Sequence, residues 1–334
     1  MKKIFKLLWE KLNEPPVERL LIVLLPFLSI LLAAFIIAPG VLSIMSGSPP
    51  PALSPAAEAS PSPAPVLPAE PPLSSQEAAP FAEPESPEES SDGSGWQNIA
   101  GSTYYYNDDG QCVTGLRLID GQLHFFDQYG VKAETIGIDV SFYNEFIDWP
   151  AVAAQGIDFA ILRAGGRGWE TGLIYEDEWF LRNLTEARLA GIELGVYFYS
   201  TATNPAEAEA EAMYVLRCLS GARLELPIFI DMEYSGEYPR GRSDRLSNIE
   251  RELIINAFCR RVMDEGYQAG VYSGQNYYKN NLDISSLSKY TLWLASYTRN
   301  ARLPDFPGSY DIWQFTDSGR VNGISGIVDM NAGY

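Results

Sequence analysis

Two carboxylates one residue apart, Asp231 and Glu233, close a short apolar run, Leu226-Pro227-Ile228-Phe229-Ile230. A run of that length, bounded by Pro227 and by Ser235-Gly236, reads as a buried strand over Leu226–Glu233. Strand side chains alternate between faces, so the two acids point one way and Met232 the other, their Cα atoms roughly 6.5–7 Å apart. Two acids aimed into one cavity suit acid-catalysed sugar chemistry. A solvated strand end whose acids do nothing is the competing reading. Two more strand ends bear on the choice. In Ile136–Val140 and the residue after it, Gly137, Asp139 and Ser141 share a face; around Ile327–Met330, Ile327, Asp329 and Asn331 share one. Unpaired buried acids are costly, so three strand ends that each deliver one to a common face favour a site.

The remaining composition narrows the chemistry. The only histidine, His124, lies far in sequence from these acids, which removes Ser-His-Asp and Cys-His catalysis and histidine-rich zinc sites. Cys112, Cys218 and Cys259 are odd in number and widely spaced, and outline neither a disulfide framework nor a metal cage. Cys218 and Cys259 fall in helical patterns and are expected in the core. No metal and no cofactor are expected; carboxylates carry any catalysis. The formal charge of −19 argues against nucleic acid as a partner.

The elements that must position these acids occupy residues 136–334. Strand-like runs at Ile136–Val140, Phe159–Ala164, Leu194–Ser200, Leu226–Glu233 and Ala269–Ser273 alternate with helical patterns, the clearest at Glu178–Ala190, Pro205–Leu219 and Asn248–Gly266. Gly191 and Gly266 close the first and last of these helices. Three further strands, Tyr290–Tyr297, Tyr310–Thr316 and Ile327–Met330, follow with little helix between. Such alternation predicts a parallel α/β fold, and acids at strand C-termini favour a closed barrel.

Ahead of this lie four segments. Residues 1–19 are basic, and 20–42 hold an almost uninterrupted apolar stretch, Leu20 to Ile37, with no charge between Arg19 and Glu58. About 18 apolar residues with a basic flank can span a bilayer. A cleaved signal peptide is the alternative, though its apolar region is usually only about 7–15 residues. An anchor over 20–42 makes the membrane a partner, with the short N-terminus in the cytoplasm and the rest outside. Residues 47–95, rich in Pro, Ala, Ser and Glu, read as an extended spacer. Residues 96–133 hold two copies of an aromatic hairpin pattern at a period of about 20 residues, with Asp109-Gly110 and Tyr129-Gly130 as the turn signals.

The hairpins resemble the choline- and glucan-binding repeats of Gram-positive surface proteins, which implies cell-wall carbohydrate or choline as a ligand. Leu116 and His124 stand where such repeats usually have aromatics. The larger segment resembles the glycoside hydrolase family 25 muramidases through Gly137-Ile138-Asp139-Val140-Ser141, Gly195-Val196-Tyr197, Ile230-Asp231-Met232-Glu233, Gly270-Val271-Tyr272-Ser273, Leu292-Trp293-Leu294-Ala295 and Gly326-Ile327-Val328-Asp329-Met330-Asn331. Phe198 and Tyr199 depart from the family's usual histidine and phenylalanine. The resemblance implies a TIM-like barrel of five strand-helix units followed by three strands, (β/α)5(β)3. It also implies cleavage of the β-1,4 bond between N-acetylmuramic acid and N-acetylglucosamine of peptidoglycan, at a Gram-positive cell envelope. Glu233 is then the expected general acid and Asp231 the residue that orients the sugar's 2-acetamido group. Asp139 and Asp329 support the pair, with Glu233 raised in pKa by Asp231 and Asp139. Tyr197, Tyr272, Trp293 and Trp313 are the expected sugar-stacking residues, with barrel packing as the alternative for each. A wall-binding scaffold that keeps the fold without turnover is the alternative function. An amidase or peptidase would need a metal or a Cys/His pair that the chain does not offer.

Overall fold

The computed structural model describes residues 93–235 and 241–334. The basic tail 1–19, the anchor 20–42 and nearly all of the spacer 47–95 lie outside the described residues. No helix among the described residues is long and apolar enough to cross a membrane.

Two hairpins come first, β1 (Gly95–Ile99) with β2 (Ser102–Tyr106) and β3 (Gly115–Ile119) with β4 (Gln122–Phe126). Their turns are Ala100-Gly101 and Asp120-Gly121, both residues of each pair at positive φ, the conformation that matches strand twist in a two-residue loop. The Asp109-Gly110 and Tyr129-Gly130 pairs close a second bend instead. There the side chains of Asn107 and Asp127 each accept two backbone N–H bonds from the residues that follow. An Asx turn, not the hairpin loop, explains those glycines.

The rest is an α/β barrel. In chain order it comprises β5 (Thr135–Val140), α1 (Trp149–Ala154), β6 (Phe159–Arg167), β7 (Ile174–Glu176), α2 (Phe180–Leu189), β8 (Glu193–Tyr199) and α3 (Pro205–Leu219). Then follow β9 (Ile228–Asp231), α4 (Asn248–Asp264), β10 (Ala269–Gly274), α5 (Gln275–Asn281), β11 (Thr291–Ala295), β12 (Ile312–Gly319) and β13 (Val328–Gly333). Strands β5, β6, β8, β9, β10, β11 and β12 run parallel; β13 is antiparallel to both β12 and β5, and the β5–β6 pairing completes an eight-stranded ring. Strand β7 is a short antiparallel addition to β6. The order is five strand-helix units and then three strands, as the sequence pattern predicts.

Local chemistry sets the boundaries. Ser247 and Glu250 form a reciprocal capping box at the start of α4, and Asn204 caps α3 with Pro205 behind it. Inside the ring, Phe159, Ile161, Phe229, Trp293 and Ile312 form a floor, with Tyr197 and Tyr272 packed on it. Glycine makes room for that floor: a Cβ at Gly137 or Gly270 would lie 2.3 Å from the rings of Phe159 and Phe229 respectively. The aliphatic faces turn outward into a larger core under the helices, where Cys259 is fully buried and Cys218 half-buried. The second hairpin joins this outer core, as the Phe125 ring stacks on Phe315 at 4.0 Å.

Strand β6 contains one irregularity with consequences. Arg163 pairs with Tyr197 of β8, but the next partnership is Gly165 with Phe198, so Ala164 is an extra residue. A bulge of this kind reverses which face later residues occupy.

Candidate active site

The C-terminal ends of the parallel ring strands and the start of the antiparallel β13 open into a cavity of about 520 Å³ lined by Asp139, Arg163, Tyr197, Tyr199, Asp231, Glu233, Tyr272, Trp293 and Asp329, among others. All four acids singled out in the sequence therefore meet. Three of them lie on three different strands. Asp139 and Asp329 face each other across the β5–β13 pairing, and Asp231 ends β9. Glu233 lies two residues beyond the end of β9, so the strand is shorter than the sequence suggests and its second acid sits in the following loop.

Each acid has a distinct environment. Asp139 is buried, and its Oδ2 accepts hydrogen bonds from Gln314 Nε2 at 2.8 Å and Asn331 Nδ2 at 2.9 Å. Burial still pushes it up to about 6 against those bonds. Asp329 is pushed up to about 8 by burial and then by the Asp139 charge. Glu233 rises to about 7, first through burial and then through Asp329. Desolvation is the largest influence on Glu233; Asp329 repels it across the cavity, and Glu233 and Asp231 repel each other. Asp231 is raised well above the ordinary range by burial, with Glu233 and Asp139 adding to the rise and Arg163 opposing it. Its Oδ1 is buried with no hydrogen-bond partner in the protein. A buried acceptor left unpaired costs roughly 1–3 kcal/mol, a cost a bound donor would remove.

The aromatic residues divide. Trp293 is 1% exposed, donates through Nε1 to Asn331 Oδ1 at 2.8 Å, and is packed by Tyr197, Phe229 and Tyr272. Tyr272 donates to Gln314 Oε1 at 2.9 Å. Trp293, Tyr197 and Tyr272 all line the acid cavity. Trp313 does not. Its neighbour Gln314 reaches Asp139 inside the ring, so alternation turns Trp313 outward, where its Nε1 donates to Ser296 O at 2.8 Å and its ring packs on Phe125. Trp313 lines a separate cleft of about 570 Å³ between the second hairpin and the barrel, which has no acid among its walls.

Sequence reasoning missed Arg163, Gln314, Tyr199, Tyr143 and Trp169, all at or against the cavity. Gln314 alone left a signal, two residues from a strand start with odd parity to the flanking aromatics, but the run Ile312–Phe315 is buried on both faces and carries no alternation. Among the described residues no group of three or more His, Cys, Asp or Glu is arranged to hold a metal ion. At the first hairpin, the Trp96 ring meets Tyr105 and His124 edge-on at 5.0 and 4.9 Å, and Phe126 at 6.0 Å. Burial, and then Lys132, lowers the pKa of His124 and favours the neutral ring.

A family model described as glycosyl hydrolases family 25 matches residues 138–324, and one described as a choline-binding repeat matches residues 94–133. The chain is 31% identical over 196 residues to the autolytic lysozyme of Clostridium acetobutylicum, covering 58% of this chain and 54% of that protein. It is 30% identical over 204 residues to lysozyme M1 of Streptomyces globisporus, covering 58% of this chain and 66% of that one. The chain thus spans about half the length of the first of these relatives. Among solved structures, the modular autolysin LytC from Streptococcus pneumoniae, in complex with a synthetic peptidoglycan ligand, matches with a TM-score of 0.56 at 28% identity, over 72% of this chain and 58% of that chain.

Proposed function

The chain belongs to family 25 of the glycosyl hydrolases, and from that premise we propose that it is a peptidoglycan hydrolase cleaving the β-1,4 bond between N-acetylmuramic acid and N-acetylglucosamine. The observation that carries the reading is the unpaired Oδ1 of Asp231 beside Glu233 in a cavity lined by two more acids. A 2-acetamido N–H supplies the donor that this oxygen lacks.

Catalysis then proceeds with the substrate's own nucleophile, an exception to the two-carboxylate scheme. Glu233, held protonated near neutral pH by its burial, gives its proton to the glycosidic oxygen as the C1–O bond breaks. The acetamido carbonyl oxygen bonds to C1, and Asp231 accepts the N–H and offsets the positive charge of the oxazolinium ring. Water then attacks C1 and returns a proton to Glu233, reopening the ring with retention. Asp139, raised less than Glu233 and Asp329, adds negative charge around the cationic centre, and Asp329 lies against it across the strand pairing. Trp293, Tyr197 and Tyr272 give the sugar an aromatic wall.

The predicted anchor over 20–42 and spacer over 47–95 would hold the enzyme outside the membrane, where tethering raises local concentration at the wall. The aromatic cluster around Trp96 is the proposed contact for choline or wall carbohydrate, through ring faces that attract cations. Carbonate extraction of membranes and protease shaving of intact cells test the placement.

The decisive variant is Glu233→Gln. Release of reducing ends from purified peptidoglycan should fall by roughly a thousandfold, within the usual range for losing a general acid, with unchanged circular dichroism. Mass spectrometry of digested, defined peptidoglycan should give products with reducing-end N-acetylmuramic acid. Undiminished turnover in the variant would sink the assignment.

A further inference from the structure

Asp231 is not alone in lining the cavity with an unused polar atom. Arg163 is 8% exposed, and its Nη2 is buried with no hydrogen-bond partner in the protein. Among the described residues lining the cavity it is the only cation.

How Arg163 is held shows what it leaves free. Its Nε donates to Asp177 Oδ2 at 2.9 Å, and no second contact makes the pair a two-pronged fork. Asp177 is committed elsewhere: Oδ2 also accepts from the Phe142 backbone N–H at 2.8 Å, and Oδ1 from that of Trp179 at 3.1 Å. The guanidinium lies over the Phe142 ring, 4.5 Å from its centroid, and 5.3 Å from that of Tyr143. One edge of a planar, permanently charged group is thus anchored and its face supported, while Nη2 keeps no partner in a residue that lines the cavity. A fixed guanidinium edge is matched best by a carboxylate, and less strongly by a carbonyl oxygen.

Resting on the muramidase reading, we propose that Arg163 binds the lactyl group on O3 of the muramoyl residue, and so separates muramoyl glycans from plain N-acetylglucosamine polymers. That ether is the one chemical difference between the two sugars. It ends in a carboxylate on bare strands and in an amide carbonyl where a stem peptide is attached. Asp139 keeps negative charge in the cavity near neutral pH, and Arg163 is the cation of its lining that can receive a glycan's carboxylate. Arg163 is a specificity residue in this account; the proton transfers belong to Glu233.

The test measures binding to the full chain carrying Glu233→Gln, by calorimetry, with two ligands. One is a peptide-free oligosaccharide alternating N-acetylmuramoyl and N-acetylglucosaminyl units; the other is a chitooligosaccharide of equal length. The protein should prefer the muramoyl ligand. Adding Arg163→Met should reduce that preference by roughly tenfold to a hundredfold, the range expected for one hydrogen bond to a charged group. Equal weakening of both ligands, or of neither, overturns the proposal. Should Arg163→Met fail to fold, Arg163→Lys decides. It keeps the charge and loses the flat fork, so a several-fold loss of preference supports the inference and an unaltered preference overturns it. In the active protein, a normal turnover with unaltered selectivity in these variants would overturn this inference alone. A wild-type chain that releases no reducing ends and binds neither ligand would overturn the muramidase reading with it.

Discussion

Arg163 and Arg167 stand four residues apart on one strand, both buried, and are treated in opposite ways. Arg167 engages every one of its three nitrogens: Nε on Glu211 Oε1 at 2.6 Å, Nη1 on Gly172 O at 2.6 Å and Nη2 on Glu207 O at 3.0 Å. Glu211 takes a further bond from Ser200 Oγ at 2.6 Å, and Arg242 pairs with Glu207 at the edge of the same cluster. Arg163 has one anchoring bond and an idle edge. On a regular strand residues four apart share a face. The bulge at Ala164 breaks that parity, leaving Arg163 inside the ring with Tyr197 and sending Arg167 out beside Ser200 toward α3. One inserted residue separates an arginine that closes the structure from one that remains open to a ligand. Buried charge with complete partners stabilises a unique arrangement; buried charge without them is tolerated where a ligand completes the set.

The largest effect should come from the open cluster. Asp231→Asn should lower kcat on peptidoglycan by about a thousandfold, the scale of losing a preorganised electrostatic contact, while thermal melting shows a protein at least as stable as the original. A lowered melting temperature with retained turnover would reverse the distinction between the two regions. Next comes the closed cluster. Arg167→Met strands Glu211, which is 0% exposed, and should destabilise by about 3–5 kcal/mol, measured by urea unfolding. Arg163→Met should cost less, about 1–3 kcal/mol, because Asp177 keeps its two backbone donors. Equal costs would show that both arginines are structural.

The smallest and most diffuse effect is on pH dependence. Asp139, Glu233 and Asp329 are raised to about 6, 7 and 8. Their folded forms keep protons that the unfolded chain gives up near pH 4, so stability should fall as pH rises from about 4 to about 8. Glu207 acts in the other direction. Arg242 holds it down to about 2, and its contribution is present above 4.5 and lost as pH falls toward 2. Melting curves from pH 3 to 9 should show the decline on the alkaline side, shallower in Asp329→Asn. A steeper decline in that variant would contradict the assignment of the open cluster as its source.

Much of this was legible in the residues. The alternating strands and helices, the capping glycines Gly191 and Gly266, and the acids Asp139, Asp231 and Asp329 on inward faces all follow from local pattern. So does the exclusion of histidine chemistry. Glu233 was placed in the right cavity on a strand that ends before reaching it. For Trp313 the sequence leaves sugar stacking and barrel packing open, because Ile312-Trp313-Gln314-Phe315 is buried on both sides and the run has no polar phase to read; packing is what the fold gives it. Arg163 left no signal for the same reason: every residue of β6 is buried.

The sequence by itself determined which chemistry was available. Acids at three strand ends, with one remote histidine, leave carboxylate catalysis, and side-chain identity and period-two alternation are local properties. Only the tertiary structure decided which polar groups are satisfied. The Asp139 pairing with Gln314 and Asn331 joins residues 175 and 192 positions apart, and the idle atoms of Arg163 and Asp231 are defined by the absence of a partner there. Hydrogen-bond satisfaction depends on closing the ring, and strand parity within it depends on a single bulge, so neither can be read along the chain.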